Sequence, residues 1–290
     1  MPSIPKRGHA PAAVVWYFLP AALVSFVVFL MPLVSVLWTS LERQTPGGGW
    51  EFVGLRNFLE LPSDPLFLKA LGNTTVFTLG SVVLHLLLGL AAALLLNQQI
   101  YGRRMFRVIA LIPWMFSSVV VAGTWRWLLN SQFGPVNDTL RRLGLPSTLE
   151  WLGNVSLAML SVIVANAWRG FPFVMVMCLA GLQAIPRVQY EAAAVDGAGA
   201  WHRFWFITLP NLRFVLTIAA ILDVIWNFKY FDLVMIMTNG GPASSTEVVV
   251  TLVFRNAFEF FRVGYAAAQA VIVFLILAVF SGIYVRLLRV

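Results

Sequence analysis

Long stretches of this chain run without a single Asp, Glu, Lys or Arg: 8–41, 70–102, 108–125, 151–168, 170–186 and 263–285. A helix needs about 20 mostly apolar residues to cross a bilayer. The pattern therefore predicts six spans, near 12–38, 71–96, 106–128, 155–183, 212–237 and 263–285. The first is too long for the apolar core of a secretory signal and lacks a small-residue cleavage site after a short core, so it is expected to stay as a span. Pro20 and Pro32 predict a kink within it. The fifth is the least clean, because Asp223, Lys229 and Asp232 interrupt it. Between the fourth and fifth lies a stretch of another character, "YEAAAVDGAGAWHRFWFITLP", Tyr190 to Pro210. Pro186 is a helix-start signal, Glu-Ala-Ala-Ala favours helix and Gly197 stops it after Asp196, which predicts a short helix over 187–196. A second apolar turn through Trp201, Phe204, Trp205 and Ile207 is expected to close at Pro210.

Composition agrees: 60% of residues are hydrophobic and 11% charged, far outside the range of soluble domains. The expected fold class is an all-α integral membrane protein, with no linker to divide residues 1–290 and hence one transmembrane domain. Charge then orients it. With the N-terminus inside, the inner segments hold Lys6, Arg7, Arg103, Arg104, Arg107, Arg187, Arg203, Arg213, Arg286 and Arg289 against only Glu191 and Asp196, so the lysine/arginine rule favours N-in, C-in. The net charge of +8 is a topology signal on this reading; the basic residues form no stripe of the kind that binds nucleic acid. Cys178 has no disulfide partner, and His9, His85 and His202 lie far apart, so no metal-ligand cluster is readable. The only lysines, Lys6, Lys69 and Lys229, follow Pro, Leu and Phe, which excludes a phosphate-cradling Gly-Lys-Ser/Thr loop.

Polar residues inside a membrane are costly and by default mark a substrate or ion path. Asn166, Arg169, Gly170 and Phe173 stand at i, i+3, i+4 and i+7 on one face of the fourth span. Asp223, Asn227 and Tyr230, at i, i+4 and i+7, share a face of the fifth. At 1.5 Å per residue Asn166 and Asp223 each lie roughly 16–18 Å in from the end at which their helix enters, so the two faces meet near mid-membrane. Amide, carboxylate and aromatic groups suit a sugar, whose hydroxyls need fixed donors and acceptors and whose ring packs on an aromatic. The competing reading is that Arg169 and Asp223 pair with each other and merely hold helices together. Trp114, Trp125, Trp127 and Trp168 could also line a sugar path, although tryptophan is enriched at membrane interfaces in any case.

The spacing of Glu-Ala-Ala, then Asp-Gly-Ala from 196, then Phe204, Ile207 and Leu209-Pro210 resembles the EAA loop of permease subunits of ATP-binding-cassette (ABC) importers. "FVGLRNF" at 52–58, "LGNTTVFTLGSVVLHLLLGLAAALLLN" at 71–97, "MFRVIALIP" at 105–113, "FGPVN" at 133–137 and "FDLVMIMTNGGPASSTEV" at 231–248 are similar, in order, to the maltose-type carbohydrate branch of that family. One position departs from it: Phe214 stands where the family often has a second proline. The resemblance implies the type I, MetI-like permease fold and a bacterial cytoplasmic (inner) membrane location. It implies that 186–210 is a coupling loop in which Glu191, Ala192, Ala193, Asp196, Gly197 and Phe204 meet an ATPase. It also implies that Asn166, Arg169, Gly170, Phe173, Asp223, Asn227 and Tyr230 line the sugar site. The implied partners are a second homologous permease subunit, two ATP-binding subunits that hold ATP and Mg, and an extracytoplasmic substrate-binding protein facing the loop from Thr238 to Glu247. The chain itself would bind no cofactor and perform no covalent chemistry. Two rival classes remain, a stand-alone secondary transporter, which would show repeated halves, and a membrane-embedded enzyme, which would need a nucleophile, base or metal constellation.

Overall fold

The computed structural model describes residues 11–288, apart from Pro46 and Ser147. Lys6, Arg7, His9 and Arg289 therefore lie outside the described residues. In chain order the elements are α1 (Pro11–Ser25), α2 (Met31–Thr39), a hairpin of β1 (Glu42–Gln44) and β2 (Trp50–Phe52), α3 (Arg56–Glu60), α4 (Pro65–Asn97), α5 (Arg103–Met115), α6 (Ser118–Leu128), α7 (Pro135–Arg142), α8 (Val155–Ala184), α9 (Arg187–Val195), α10 (Ala200–Arg203), α11 (Leu209–Phe228), α12 (Asp232–Met237), α13 (Val249–Phe254) and α14 (Val263–Leu288).

Among the described residues, Tyr17–Thr39, Pro65–Asn97, Val155–Ala184, Ala200–Phe228 and Val263–Tyr284 are long and apolar enough to cross a membrane. The expected span at 106–128 is instead a bent pair: α5 and α6 meet at 94°. The cause is local. Phe116 and Ser117 both have extended backbone, and the Ser117 hydroxyl accepts from the Val120 N–H at 3.4 Å, capping a new helix. The fifth span also differs from expectation, because its helix begins at Ala200 and ends at Phe228, with α12 a separate short helix. No turn closes before Pro210. A π-turn at Phe204–Thr208, where the Leu209 N–H bonds to Phe204 O, carries the helix through the proline. The same device, a π-turn at Phe26–Leu30, precedes Pro32. Widening one turn provides for a residue that has no N–H to donate and whose ring crowds the preceding turn.

Contacts divide the chain into two compact units, residues up to Leu61 with Val253–Ile276, and Pro62–Leu252 with the residues from Leu277. In the first unit Asn57, fully buried, donates to both Ser40 O and Glu42 O at 2.9 Å, pinning the β-hairpin under the end of α2. Arg43 adds an ion pair to Glu60 at 2.7 Å.

In the second unit α4 lies along α8. Its buried face carries Thr78, Ser81, Val82, His85, Gly89, Ala93 and Leu96. A Cβ on Gly89 would stand 2.6 Å from Val174 Cβ, so the small residue is what lets the two backbones approach. Two apolar clusters form on these helices, one around Phe77, Val162 and Leu233, the other around Ala93, Met175 and Leu212. His85, Asn166 and Asp223 fall between the clusters along their helices, forming a buried polar layer. At one end of this unit Asn97, Arg103, Arg107, Leu182, Arg187 and Tyr190 line a single cleft, which brings Arg103 and Arg107 of one basic segment beside Arg187 of another. At the other end Lys69 and Asn73 hold the loop after α12, donating to Ala243 O (2.7 Å), Ser244 O (3.0 Å) and Glu247 O (2.9 Å).

Candidate functional site

All seven residues expected on the substrate path line one small cavity of about 50 Å³, together with His85, Trp114 and Trp226. They divide into an inner and an outer group. Inside, α4, α8 and α11 are joined by a closed hydrogen-bond network. His85 Nδ1 stands 2.7 Å from Asp223 Oδ2, and Nε2 stands 2.9 Å from the Asn166 carbonyl oxygen. Asn166 Nδ2 donates to Asn227 Oδ1 at 2.6 Å, and Asn227 Nδ2 donates to Asp223 Oδ1 and Asp223 O at 2.8 Å. A carbonyl only accepts, so His85 Nε2 bears a proton. One further proton is shared between Nδ1 and the carboxylate. Whether imidazolium faces carboxylate or imidazole faces carboxylic acid, the pair has no net charge.

This arrangement replaces the expected alternative: Asp223 pairs with His85, not with Arg169. Gly170 makes room for it. A Cβ there would sit 2.2 Å from His85 Nε2, so its task in this structure is to admit the imidazole. The outer group faces open space. Arg169 Nη1 donates to the Tyr230 hydroxyl at 2.8 Å and Nε to Phe116 O at 3.4 Å. Phe173 meets Trp226 edge to face at 4.7 Å, and Trp114 lies 6.3 Å from Phe173. Trp114, Arg169, Trp226 and Tyr230 also line a wider neighbouring cavity of about 510 Å³ with Ser118, Lys229, Phe231 and Asp232, within the size range of small-molecule sites. Trp125 and Trp168 pack on each other instead (6.2 Å), and Phe116 stacks on Trp168.

His85 and Trp226 were not among the expected site residues. The signal for His85 was present, an ionisable residue within an apolar span. Trp226 sits one residue before Asn227 and three after Asp223, at helical spacing from the latter.

The second group of candidates builds a surface. Helix α9 ends as expected: Gly197 has φ +79°, its N–H bonds to Ala194 O at 3.1 Å, and the Ala198 N–H bonds to Ala193 O at 2.8 Å. That pair of bonds satisfies the last carbonyls only if the residue at Gly197 turns left-handed. Ala193, Asp196 and Gly197 line a concavity of about 480 Å³ with His202, Arg203 and Phe206. Glu191 and Ala192 lie exposed on the same helix, whereas Phe204 packs against Trp201 and Trp205. Helix α9 is tied to the root of α11. Thr208 Oγ1 donates to Arg203 O, so the Tyr190 hydroxyl donates to Thr208, at 3.0 Å; Asn211 Nδ2 donates to Gln189 Oε1 at 3.2 Å.

Residues 85–289 match the family described as binding-protein-dependent transport system inner membrane component. The chain is 37% identical over 272 residues to the trehalose/maltose transport system permease protein MalF of Thermococcus litoralis, covering 93% of this chain and 92% of that one. It is 34% identical to the sulfoquinovosyl glycerol transport system permease protein SmoG of Agrobacterium fabrum, covering 93% of this chain and 88% of that one. Among solved structures, a chain of a bacterial ABC transporter involved in the import of the acidic polysaccharide alginate superposes with a TM-score of 0.79 at 23% identity, over 94% of this chain and 95% of that one. The fold is thus the helical one of ABC importer permeases.

Proposed function

The chain belongs to the binding-protein-dependent transport system inner membrane components, and from that premise we propose that it couples ATP hydrolysis on a partner to alternating access of a sugar path. It is a permease subunit of a carbohydrate ABC importer, a multi-pass inner-membrane protein and a transport component, not an enzyme. The observation that carries the coupling proposal is the tie between α9 and α11. An exposed helix is bonded at Tyr190 and Gln189 to the root of a span that holds Asp223 and Asn227 further along. Force applied to α9 would reach the polar layer through one continuous helix.

In this reading α9 docks on an ATP-binding subunit, and two such subunits hold the ATP and Mg. A second, homologous permease subunit completes the path, and an extracytoplasmic binding protein delivers the sugar to the Thr238–Glu247 side. The wall of Arg169, Tyr230, Trp114, Phe173 and Trp226 receives the sugar, with hydroxyls meeting the polar groups and a ring face meeting an aromatic. The orientation is N-in, C-in, with 1–290 acting as one transmembrane subunit. Labelling of single cysteines in a Cys178→Ser background tests the orientation: positions 103 and 202 should react only from the cytoplasm. The function is tested by uptake into vesicles containing the complete transporter. Uptake should require ATP inside the compartment that holds the ATPase, and uptake by this chain alone, driven by an ion gradient, would overturn the proposal.

A further inference from the structure

We propose that the carbohydrate moved by this subunit carries an anionic substituent, a carboxylate, sulfonate or phosphate, received by the Arg169 guanidinium. The inference rests on the sugar-permease reading and narrows its substrate class. Its starting point is the charge balance of the path. Asp223, the carboxylate that Arg169 could have used, is bonded to His85 at 2.7 Å, and the pair is neutral as a whole. Among the described residues Arg169 forms no ion pair; its partners are a phenol and a carbonyl, through Nη1 and Nε. The remaining N–H groups, including both on Nη2, are uncommitted, and two parallel N–H groups are the geometry that binds a carboxylate or phosphate bidentately.

The rest of the wall points the same way. Lys229 lines the wider cavity with Arg169 and likewise has no ion pair among the described residues. The one carboxylate there, Asp232, accepts from the Ser118 hydroxyl at 2.5 Å, so two cations face one acid. The acceptors that a neutral sugar's hydroxyls would seek are largely spent, since Asn166, Asn227 and Asp223 bond one another. The cavity therefore offers cationic donors in excess of free acceptors, which favours an acceptor-rich, negatively charged ligand. A cation left in a low-dielectric path without a counter-ion is costly, and an anionic ligand would supply one at each cycle.

The test uses the complete transporter in vesicles and two radiolabelled probes of matched length, a neutral oligosaccharide and the corresponding oligosaccharide with uronic acid units. Wild type should take up the acidic probe in preference. Arg169→Gln should lower the ratio of acidic to neutral uptake by about tenfold to a hundredfold, the scale of a lost charge-assisted hydrogen-bond pair, and Arg169→Lys should lower it less. Co-purification of all subunits shows that each variant has assembled; should Arg169→Gln fail to assemble, Arg169→Lys and Lys229→Gln carry the comparison. Preferential uptake of the neutral probe by wild type, or an unchanged ratio in the assembled variants, would overturn the inference and leave the permease reading intact. An assembled, ATP-hydrolysing transporter that takes up neither probe nor any sugar of a wider neutral and acidic panel would overturn both.

Discussion

The polar layer between α4, α8 and α11 and the exposed helix α9 both place charge in a chain of very low polarity, and they treat it in opposite ways. In the layer each polar side chain is held by another: His85, Asp223, Asn166 and Asn227 are buried and close a network across three helices. On α9, Glu191 is exposed, Val195 is 88% exposed, and what the helix offers is a surface of small side chains. The first region is complete within this subunit, and the second has its outward face left uncovered by it. Damage to the layer should therefore register in the subunit's own stability, whereas damage to α9 should register in its assembly with a motor.

The largest effect is expected at the buried pair. His85→Leu leaves Asp223 buried without its partner, a defect worth about 3–5 kcal/mol, whereas adding Asp223→Leu removes the stranded group and should restore part of the loss. Unfolding of the detergent-solubilised subunit measures both, and equal stability of wild type and His85→Leu would break the contrast between the regions. Next comes Gly170→Ala, whose Cβ would displace the imidazole from a distance of 2.2 Å. Forced repacking of this kind costs about 1–3 kcal/mol, and transport should fall with it. Gly197→Val should cost about 1–2 kcal/mol at its left-handed position, a strain confined to the end of α9; the expected readout is reduced co-purification of the ATP-binding subunit, as it is for Glu191→Lys. The smallest effect on stability belongs to Val195→Ser. A surface change of this sort stays within about 0.5 kcal/mol, yet on the docking proposal it should still lower the ATPase recovered with the complex.

The faces of the fourth and fifth spans were legible because helical spacing is arithmetic. Residues at i, i+3, i+4 and i+7 share a side wherever the helix is continuous, and both helices are continuous from Asn166 to Phe173 and from Asp223 to Asn227. Tyr230 lies beyond the helix end and still reaches the site, through the Arg169 bond. The partner of Asp223 was not legible, because His85 is separated from it by 138 positions and only packing decides which of two basic side chains a carboxylate meets. Arg169 stands nearer to Asp223 in sequence; Gly170, by lacking a side chain, gives the place to His85. The bend at Phe116–Ser117 escaped for a different reason. An uncharged run reports hydrophobicity and is silent about direction, and the serine that caps α6 is as compatible with a continuous helix as with a broken one. Pro210 is the opposite case, since a proline predicts a stop unless the preceding turn can widen, and that choice depends on what the wound chain packs against.

The widened turn at Phe204–Thr208 has a consequence for how this chain can change over generations. A π-turn holds one residue more than an α-turn over nearly the same rotation, and each α-helical residue beyond it is worth about 100° of rotation and 1.5 Å of rise. The turn at Phe204–Thr208 therefore absorbs its extra residue while the helix beyond it keeps its angular phase. Deleting one codon within the turn would let it rewind as an ordinary α-turn of nearly the same rotation, so Asp223 and Asn227 would keep their setting against His85 and Asn166, whereas a one-residue change in the α-helix between Thr208 and Asp223 would turn them by about 100° relative to α9. The turn is thus the place in this helix where length can change by one residue at little cost in angle, and indels between it and Asp223 are the ones filtered as frame errors of rotation.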